Sequence, residues 1–186
     1  MISPLVKLST IAMGCTLLAL QGCAQQNDRK EVVQNINNDD YYEVEHEGRL
    51  YVFDDAITYK SFLEIGETSY RKVRIAAGPN GETIVFGLTS EDKKKSSGIA
   101  SIDMYDGKLA GGEPFYGEVH YEGRIYVFDN WEDLQSFKQV GEAPYRYTMI
   151  GEGPKGETVV IVLNKDNKKE HPEAQISAFK SMHSQS

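Results

Sequence analysis

The chain shows an alternation of apolar and polar residues that begins at Tyr41. The segment "YYEVEHEGRLYVFD" is rich in β-branched and aromatic side chains and is interrupted by Glu47 and Gly48, so it predicts two strands joined by a tight turn. Two further strand patterns follow at residues 70–88, and a Gly-Pro-x-Gly turn at residues 78–81 joins them.

Between these two strand pairs, "DAITYKSFLEIG" has the spacing of a helix. Tyr59, Phe62 and Ile65 recur on one side of it. Asp54 stands where an N-cap is needed, and Gly66 stands where a left-handed C-cap is expected. The predicted order is therefore strand, strand, helix, strand, strand.

The same pattern occurs twice. A shift of 75 residues aligns residues 43–88 with residues 118–163 without a gap, and 23 of the 46 aligned pairs are identical. The second copy repeats the turn, the helix and its caps at Glu122, Gly123, Asp129, Leu134, Phe137, Val140 and Gly141. A unit of this size buries too little surface to be stable alone, so we expect the two copies to pack together.

The predicted fold is α+β, with two tandem β-β-α-β-β repeats that have antiparallel sheets and pack with pseudo-two-fold symmetry. Residues 41–91 form repeat 1, residues 92–114 a linker, residues 115–165 repeat 2 and residues 166–186 a polar C-terminal tail. Within the linker, "IASIDMY" predicts a short strand. In the tail, a short helix is predicted from Pro172 through Ser181, with Ile176 and Phe179 on one side.

The N-terminal residues 1–22 have the pattern of a signal peptide, because the apolar run after Lys7 is too short to cross a bilayer. The run ends in "LQGC", which resembles the lipobox of bacterial lipoproteins. The resemblance implies that Cys23 is lipidated and that Ala24 directs the protein to the outer membrane, facing the periplasm. Residues 23–40 would then be a polar, lipidated tether. The alternative is ordinary secretion with Cys23 as a free thiol.

Charge and cysteine content exclude several functions. The full chain has a formal net charge of −8, and removal of Lys7 with the signal peptide makes the mature chain −9. Such an acidic protein is not expected to bind nucleic acid, and its attachment to a membrane would depend on the lipid. Cys15 is lost with the signal peptide, and an acylated Cys23 leaves no thiol for a disulfide, a metal or catalysis.

Part of each copy resembles the YHS domain, a small hairpin-and-helix module related to metal-handling treble-clef domains. The resemblance lies in Gly48, Tyr51, Phe53, Phe62 and Tyr70, and in Gly123, Tyr126, Phe128, Phe137, Pro144 and Tyr145. The metal-ligand cysteines of that family are replaced by Asp54 and Thr58, and by Asp129 and Asp133. Asp129 and Asp133 are therefore weak candidates for a hard cation, and the competing interpretation is a helix cap with an exposed acidic face.

Polar residues present in both copies suggest a second kind of site. Arg49, Arg124, Arg71 and Arg146, with Tyr51 and Tyr126, could form a duplicated surface for a ligand that carries a carboxylate or sugar. The alternative is structural, with these arginines paired across strands to Glu82 and Glu157.

The histidines do not repeat between the copies. His46 aligns with Tyr121, and His120 aligns with Glu45, so the two histidines are expected on opposite faces. His171 and His183 lie in the tail, where no fixed geometry is expected.

No catalytic motif is present: the chain has no Gly-x-Ser-x-Gly, no His-Glu-x-x-His and no phosphate loop. We therefore expect a lipid-anchored envelope protein that acts as a non-catalytic binding or structural module, without a cofactor and with an envelope protein as partner. The first alternative is a protein that handles copper or another cation. The second is an envelope enzyme acting on glycan.

Overall fold

The computed structural model describes residues 36–184 of the chain. The predicted signal peptide, Cys23 and most of the tether lie outside the described residues. Residues 36–184 belong to one compact unit. None of its helices combines the length and the apolar character needed to cross a membrane.

In the described part of the chain, eight strands form one mixed sheet. They are β1 (Asp40–His46), β2 (Arg49–Phe53), β3 (Arg71–Arg74), β4 (Thr83–Gly87), β5 (Tyr116–Tyr121), β6 (Arg124–Phe128), β7 (Tyr145–Met149) and β8 (Thr158–Leu163). They lie in the order β3-β4-β2-β1-β5-β6-β8-β7. Consecutive pairs such as β1–β2 are antiparallel, but β1–β5, β2–β4 and β6–β8 are parallel.

The prediction of antiparallel sheets is therefore wrong in part. The strand that follows each of the two long repeat helices, β3 or β7, lies at an outer edge of the sheet. The next strand, β4 or β8, lies between that edge strand and the hairpin that precedes the helix. The burial pattern explains this arrangement: β4 is buried over nearly its whole length, whereas β3 alternates and is half exposed. A continuous apolar strand such as "TIVFG" fits an inner position covered on both faces.

The tight turns are as predicted. Glu47 and Gly48 have φ values of 50° and 70°, and Glu122 and Gly123 have values of 50° and 72°. Positive φ at both central residues is the type I′ geometry that joins twisted antiparallel strands, and glycine adopts it without strain.

Within residues 36–184, four α-helices accompany the sheet: α1 (Ala56–Ile65), α2 (Ala100–Tyr105), α3 (Trp131–Val140) and α4 (Glu173–His183), with a 3₁₀ helix at Asp92–Lys94. The C-caps Gly66 and Gly141 are confirmed, since both are left-handed. The N-caps are one residue later than predicted, at Asp55 and Asn130, whose side chains accept from the backbone N–H of the third residue on.

The third apolar residue of the pattern in α1 and in α3 does not face the core. Ile65 is 68% exposed and Val140 is 71% exposed. A spacing of three residues corresponds to 300° around a helix, which is about 60° short of a full turn. Each apolar residue is therefore rotated by about 60° from the one before it, and the third points away from the sheet.

The linker and the tail both contribute helices to the core. "IASIDMY" forms α2 rather than the predicted strand, because Ile99, Ala100 and Met104 share one helical face and are buried together. The predicted C-terminal helix is confirmed as α4 and extends two residues further, to His183. Ile176 and Phe179 are buried against Ile125 and other residues of β6 and β8.

Successive side chains of each strand point to opposite faces of the sheet, and helices cover the apolar side chains of both faces. On one face, α2 and α3 cover a single apolar cluster that includes Val52 and Phe128. On the other face, α1 covers a cluster that includes Val44 and Phe53, and α4 covers a neighbouring cluster that includes Val127. The buried residues of all three clusters lie within residues 41–179.

Candidate functional site

A cleft of about 660 Å³ opens on the face covered by α1 and α4. It lies beside the central parallel pair β1–β5, near the ends of those strands that carry the two tight turns. Its walls come from α1, from the turn between β7 and β8, and from the C-terminal end of α4, which contributes Met182 and His183. The cleft therefore depends on the predicted tail being folded against the sheet.

A buried carboxylate lies beneath this cleft. Glu118, on β5, has no exposed surface. The hydroxyl of Tyr59 donates to its Oε2 at 2.6 Å, and the hydroxyl of Tyr116 donates to its Oε1. Nε2 of His183 lies 3.0 Å from Oε1 and 3.1 Å from Oε2. A buried charge needs such partners, and Glu118 receives them from α1, β5 and α4 at once.

The partners determine the ionisation of Glu118. Burial alone would raise its pKa, but the imidazoles of His120 and His183 and the hydroxyl of Tyr116 outweigh burial and lower the pKa to about 2. Burial, followed by the charge of Glu118, raises the pKa of Tyr59 and of Tyr116 well above the usual range. The site therefore holds an ionised carboxylate and two protonated phenols at neutral pH.

This hydrogen bonding also sets the tautomers of two histidines. Tyr59 donates its proton to Glu118, so its oxygen accepts from Nε2 of His120, which lies 2.7 Å away. His183 donates from Nε2 to the same carboxylate. In neutral form both rings then carry the proton on Nε2 and have Nδ1 as an acceptor. Within residues 36–184 neither Nδ1 atom has a hydrogen-bond partner.

The remaining walls of the cleft are both apolar and charged. The apolar part is formed by Val44, Phe62, Leu63 and Met182. The charged part carries both signs, from Glu64, Glu157, Lys60 and Lys155. His46 also lines the cleft, and its ring packs edge-on against Phe62.

A second buried glutamate lies 75 positions earlier in the chain, on the opposite face of the sheet. Glu43 is 7% exposed and accepts from the hydroxyl of Tyr41 at 2.6 Å. Its charge is matched by Lys138 on α3, which donates to the same oxygen. The residue of α1 that corresponds to Lys138 is Leu63, which lines the cleft. Glu118 therefore lacks a lysine and is paired instead with His183 from α4.

The six residues proposed as a duplicated recognition surface do not lie on one surface. Tyr51 and Tyr126 are buried in separate clusters on opposite faces. Arg49 and Arg124 are exposed at the first positions of β2 and β6. Of the other two, Arg71 pairs with Glu67 at 3.2 Å, and Arg146 donates to the carbonyl of Ala143 at 3.0 Å.

The alternative pairing of these arginines with Glu82 and Glu157 is not formed either. Glu82 accepts from the backbone N–H of Asn80 at 2.7 Å, and Glu157 accepts from that of Lys155 at 2.7 Å. Each glutamate therefore closes its own Gly-Pro-x-Gly turn, which explains why both copies carry it.

The weak cation candidates are engaged by side-chain amides. Asp129 accepts from Gln175 at 2.6 Å, and Asp133 accepts from Asn130 at 2.6 Å and from Asn164 at 2.9 Å. In the part of the chain that the structure describes, no group of three or more His, Cys, Asp or Glu residues is arranged to hold a metal ion.

The expectations for the histidines were wrong at three positions. His46, His120 and His183 all line the same cleft, and His183 has a fixed partner in Glu118. Residues 40–44 pair in parallel with residues 116–120, an offset of 76, whereas the sequence copies are offset by 75. Because the two offsets differ by one, corresponding residues face opposite sides of the shared sheet, and the two unmatched histidines face the same side. A glutamate within the apolar strand "YGEVHY" was the available signal for this site.

Comparison of the chain with protein-family models, with curated proteins and with solved structures gives no match.

Proposed function

We propose that the chain is a lipid-anchored protein of the bacterial cell envelope, located at the outer membrane and facing the periplasm, whose folded body binds a small ligand without catalysing a reaction. The observation that carries the binding role is the cleft above Glu118. Its volume of about 660 Å³ lies within the range of small-molecule sites.

The construction of the cleft supports binding rather than structure alone. A buried ionised group with a strongly shifted pKa beside a concave surface is typical of functional sites. Tyr59, Tyr116 and His183 hold Glu118 from three different elements, so the base of the cleft is organised before any ligand arrives.

The same contacts argue against catalysis by Glu118. Both of its oxygens already accept hydrogen bonds, and its low pKa makes it a poor base near neutral pH. Tyr59 and Tyr116 hold their protons too strongly to act as nucleophiles. A cation-handling role has less support, because no metal-ligand group is found in residues 36–184.

We further propose that the body arose by duplication of a β-β-α-β-β-α unit related by pseudo-two-fold symmetry. Elements β2, α1 and β4 begin 75 residues before β6, α3 and β8, and the strand order reads symmetrically outward from β1 and β5. In each unit, an aspartate that follows the second strand accepts a hydrogen bond from the second helix of that unit, α2 or α4. Asp54 accepts from the backbone N–H of Ser101 at the start of α2, and Asp129 accepts from Gln175 of α4.

The anchor proposal rests on the lipobox-like "LQGC" and on Cys23. In cells that make the full chain, mass spectrometry of the purified protein should find an acylated N-terminal Cys23, and Cys23→Ser should move the protein to the soluble fraction. An unmodified mature N-terminus, or membrane retention of Cys23→Ser, contradicts the anchor.

The binding proposal is tested with a cleft-filling variant, Leu63→Trp. The wild-type body, residues 25–186, is titrated with fragments of three classes, cationic, anionic and neutral, and followed by two-dimensional NMR. At least one class should shift resonances of cleft residues such as Lys60 and His120, and Leu63→Trp should abolish the shifts. If no class produces shifts in the cleft, or if Leu63→Trp leaves them unchanged, the binding role is wrong.

A further inference from the structure

The hydrogen-bond character of the cleft indicates which ligand it can accept. Tyr59 and Glu118 direct the Nε2 protons of His120 and His183 into the protein. The Nδ1 atoms therefore have lone pairs without a partner in the described chain, and each is an acceptor in the neutral ring. Both imidazoles are largely buried but line the cleft, with side-chain exposures of 18% for His120 and 10% for His183.

The charges around the cleft favour the same kind of ligand. Two carboxylates, from Glu64 and Glu157, line it together with two lysines, so the charges of its walls balance. Glu157 is close enough to the base of the cleft for its charge to act on Tyr59. The ionised carboxylate of Glu118 lies directly behind the two imidazoles and contributes a negative charge to this end of the cleft. A donor with a positive charge is therefore favoured there.

The opposite wall is suited to a carbon skeleton. Phe62, Leu63 and Met182 form an apolar surface beside the imidazoles. The flexible side chain of methionine adapts to ligands of different shape. Leu63 is half-exposed and shorter than Lys138, the residue at the corresponding position of α3 on the other face, so it leaves more room beside the sheet. The apolar and acceptor surfaces together match a molecule with an amine at one end.

We infer that the cleft binds a small organic amine, with its ammonium group donating to Nδ1 of His120 and His183 and its apolar chain lying against Leu63 and Met182. This inference rests on the proposed binding function and specifies its ligand class. The Glu43 site provides the internal comparison, because there the protein's own ammonium group, that of Lys138, lies against the buried carboxylate.

The test uses three probes of equal chain length and different head group: hexylamine, 1-hexanol and hexanoate. Each is titrated into the wild-type body, residues 25–186, by calorimetry at neutral pH. Hexylamine should bind at least about tenfold more tightly than the other two, a difference of about 1.4 kcal/mol. Equal binding of 1-hexanol, or tighter binding of hexanoate, overturns the amine inference while the binding function stands.

A matched pair of variants locates the site. Leu63→Lys brings a lysine to the position that corresponds to Lys138 and should abolish hexylamine binding. Val140→Lys adds the same charge at an exposed position of α3 and should leave binding unchanged. Retention of hexylamine binding in Leu63→Lys overturns the inference, as does an equal loss in Val140→Lys.

Two further arms keep the test decisive. If Leu63→Lys does not fold, as judged by circular dichroism, Met182→Trp takes its place, since Met182 is only half-buried and lines the same wall. Zn²⁺ alone is also titrated. Stoichiometric binding of Zn²⁺ that competes with hexylamine assigns the imidazoles to a metal and overturns the amine inference. Failure of all three probes to bind also overturns it, and the fragment titration above tests the binding function separately.

Discussion

Nε2 of His183 lies 3.0 Å from Oε1 of Glu118, although 65 residues separate them in the chain. The contact joins the C-terminal helix α4 to the central strand β5 and forms one end of the cleft. On the other face, Glu43 pairs with the ammonium group of Lys138 instead of an imidazole. The two buried glutamates therefore differ in their partners. Glu43 pairs with a lysine, whereas Glu118 pairs with a histidine and lies beneath a cleft.

The first prediction concerns the buried charge itself. Glu118→Gln should destabilise the body at pH 7 by about 2–4 kcal/mol, because an amide accepts fewer hydrogen bonds and turns a donor toward Tyr59, Tyr116 or His183. Urea denaturation followed by fluorescence measures the change. The control is Glu122→Gln, in an exposed turn, which should change stability by less than about 0.5 kcal/mol.

The same variant predicts a pH dependence. The pKa of Glu118 is lowered to about 2 in the folded protein, so its ionisation stabilises the fold above the unfolded value of 4.5, and this stabilisation is lost as pH falls from 4.5 toward 2. The stability gap between wild type and Glu118→Gln should therefore be largest near neutral pH and narrow below pH 4.5. A gap that widens on acidification contradicts the assignment.

A second carboxylate should show the opposite sign. Burial, and to a smaller degree the charge of Asp92, raise the pKa of Asp54 to about 7, although the N–H of Ser101 opposes the rise. The folded state then retains a proton that the unfolded state loses above its value of 3.8, so stability falls as pH rises from 3.8 to 7. Asp54→Asn should remove this loss and stabilise the protein at pH 8 by about 1–3 kcal/mol.

Asp129 provides the matched control for Asp54, since it lies 75 positions later and is exposed. Asp129→Asn, at this exposed position, should change stability at pH 8 by less than about 0.5 kcal/mol. Destabilisation of Asp54→Asn at pH 8 would show that the carboxylate of Asp54 is needed in its charged form.

The C-terminal helix should be part of the core. Phe179 is 2% exposed and packs with Ile125 and Ile161, so Phe179→Ala should destabilise the body by about 3 kcal/mol. Thermal unfolding should show the loss, and Ser177→Ala, at an exposed position of α4, should show none. A similar effect of both variants would mean that α4 does not pack as described.

The lysine-paired glutamate gives a further prediction. Lys138→Met should cost about 3 kcal/mol, because Glu43 is left buried with its hydrogen bond from Tyr41 and no cation. Adding Glu43→Gln to Lys138→Met should recover most of that loss. A double-mutant cycle on denaturant unfolding measures the coupling, and additive effects would contradict a direct pair.

Local features of the fold could be predicted from sequence because they depend on residues close in the chain. The positive φ at Gly48 and Gly123 follows from the two-residue turn, and the left-handed caps at Gly66 and Gly141 follow from the end of each helical pattern. The helix at the C-terminus could also be predicted from Pro172 and the apolar spacing after it.

The order of the strands could not be predicted in the same way. Parallel pairing of β1 with β5 and of β2 with β4 joins segments that are distant in the chain, and local patterns carry no direct information on such partners. The continuous apolar sequence of β4 indicates an inner strand. The prediction of antiparallel hairpins did not take this pattern into account.

The cleft was missed for the same reason. His120 and His183 are separated by most of the second copy of the repeat, and only the shared sheet and the docking of α4 bring them to Glu118. Positions that are identical in the two copies, such as Arg49 and Arg124, suggest a duplicated surface. The cleft depends instead on positions where the copies differ, such as Leu63 and Lys138.

The most direct test of the cleft as an amine site is ¹⁵N NMR of the imidazole rings of His120 and His183 during a hexylamine titration. The account predicts that both free rings are protonated at Nε2 at neutral pH and that hexylamine shifts their Nδ1 resonances toward the hydrogen-bonded value while Nε2 stays protonated. Nδ1 resonances that do not move at saturating hexylamine, or rings protonated at Nδ1 instead of Nε2, would contradict it.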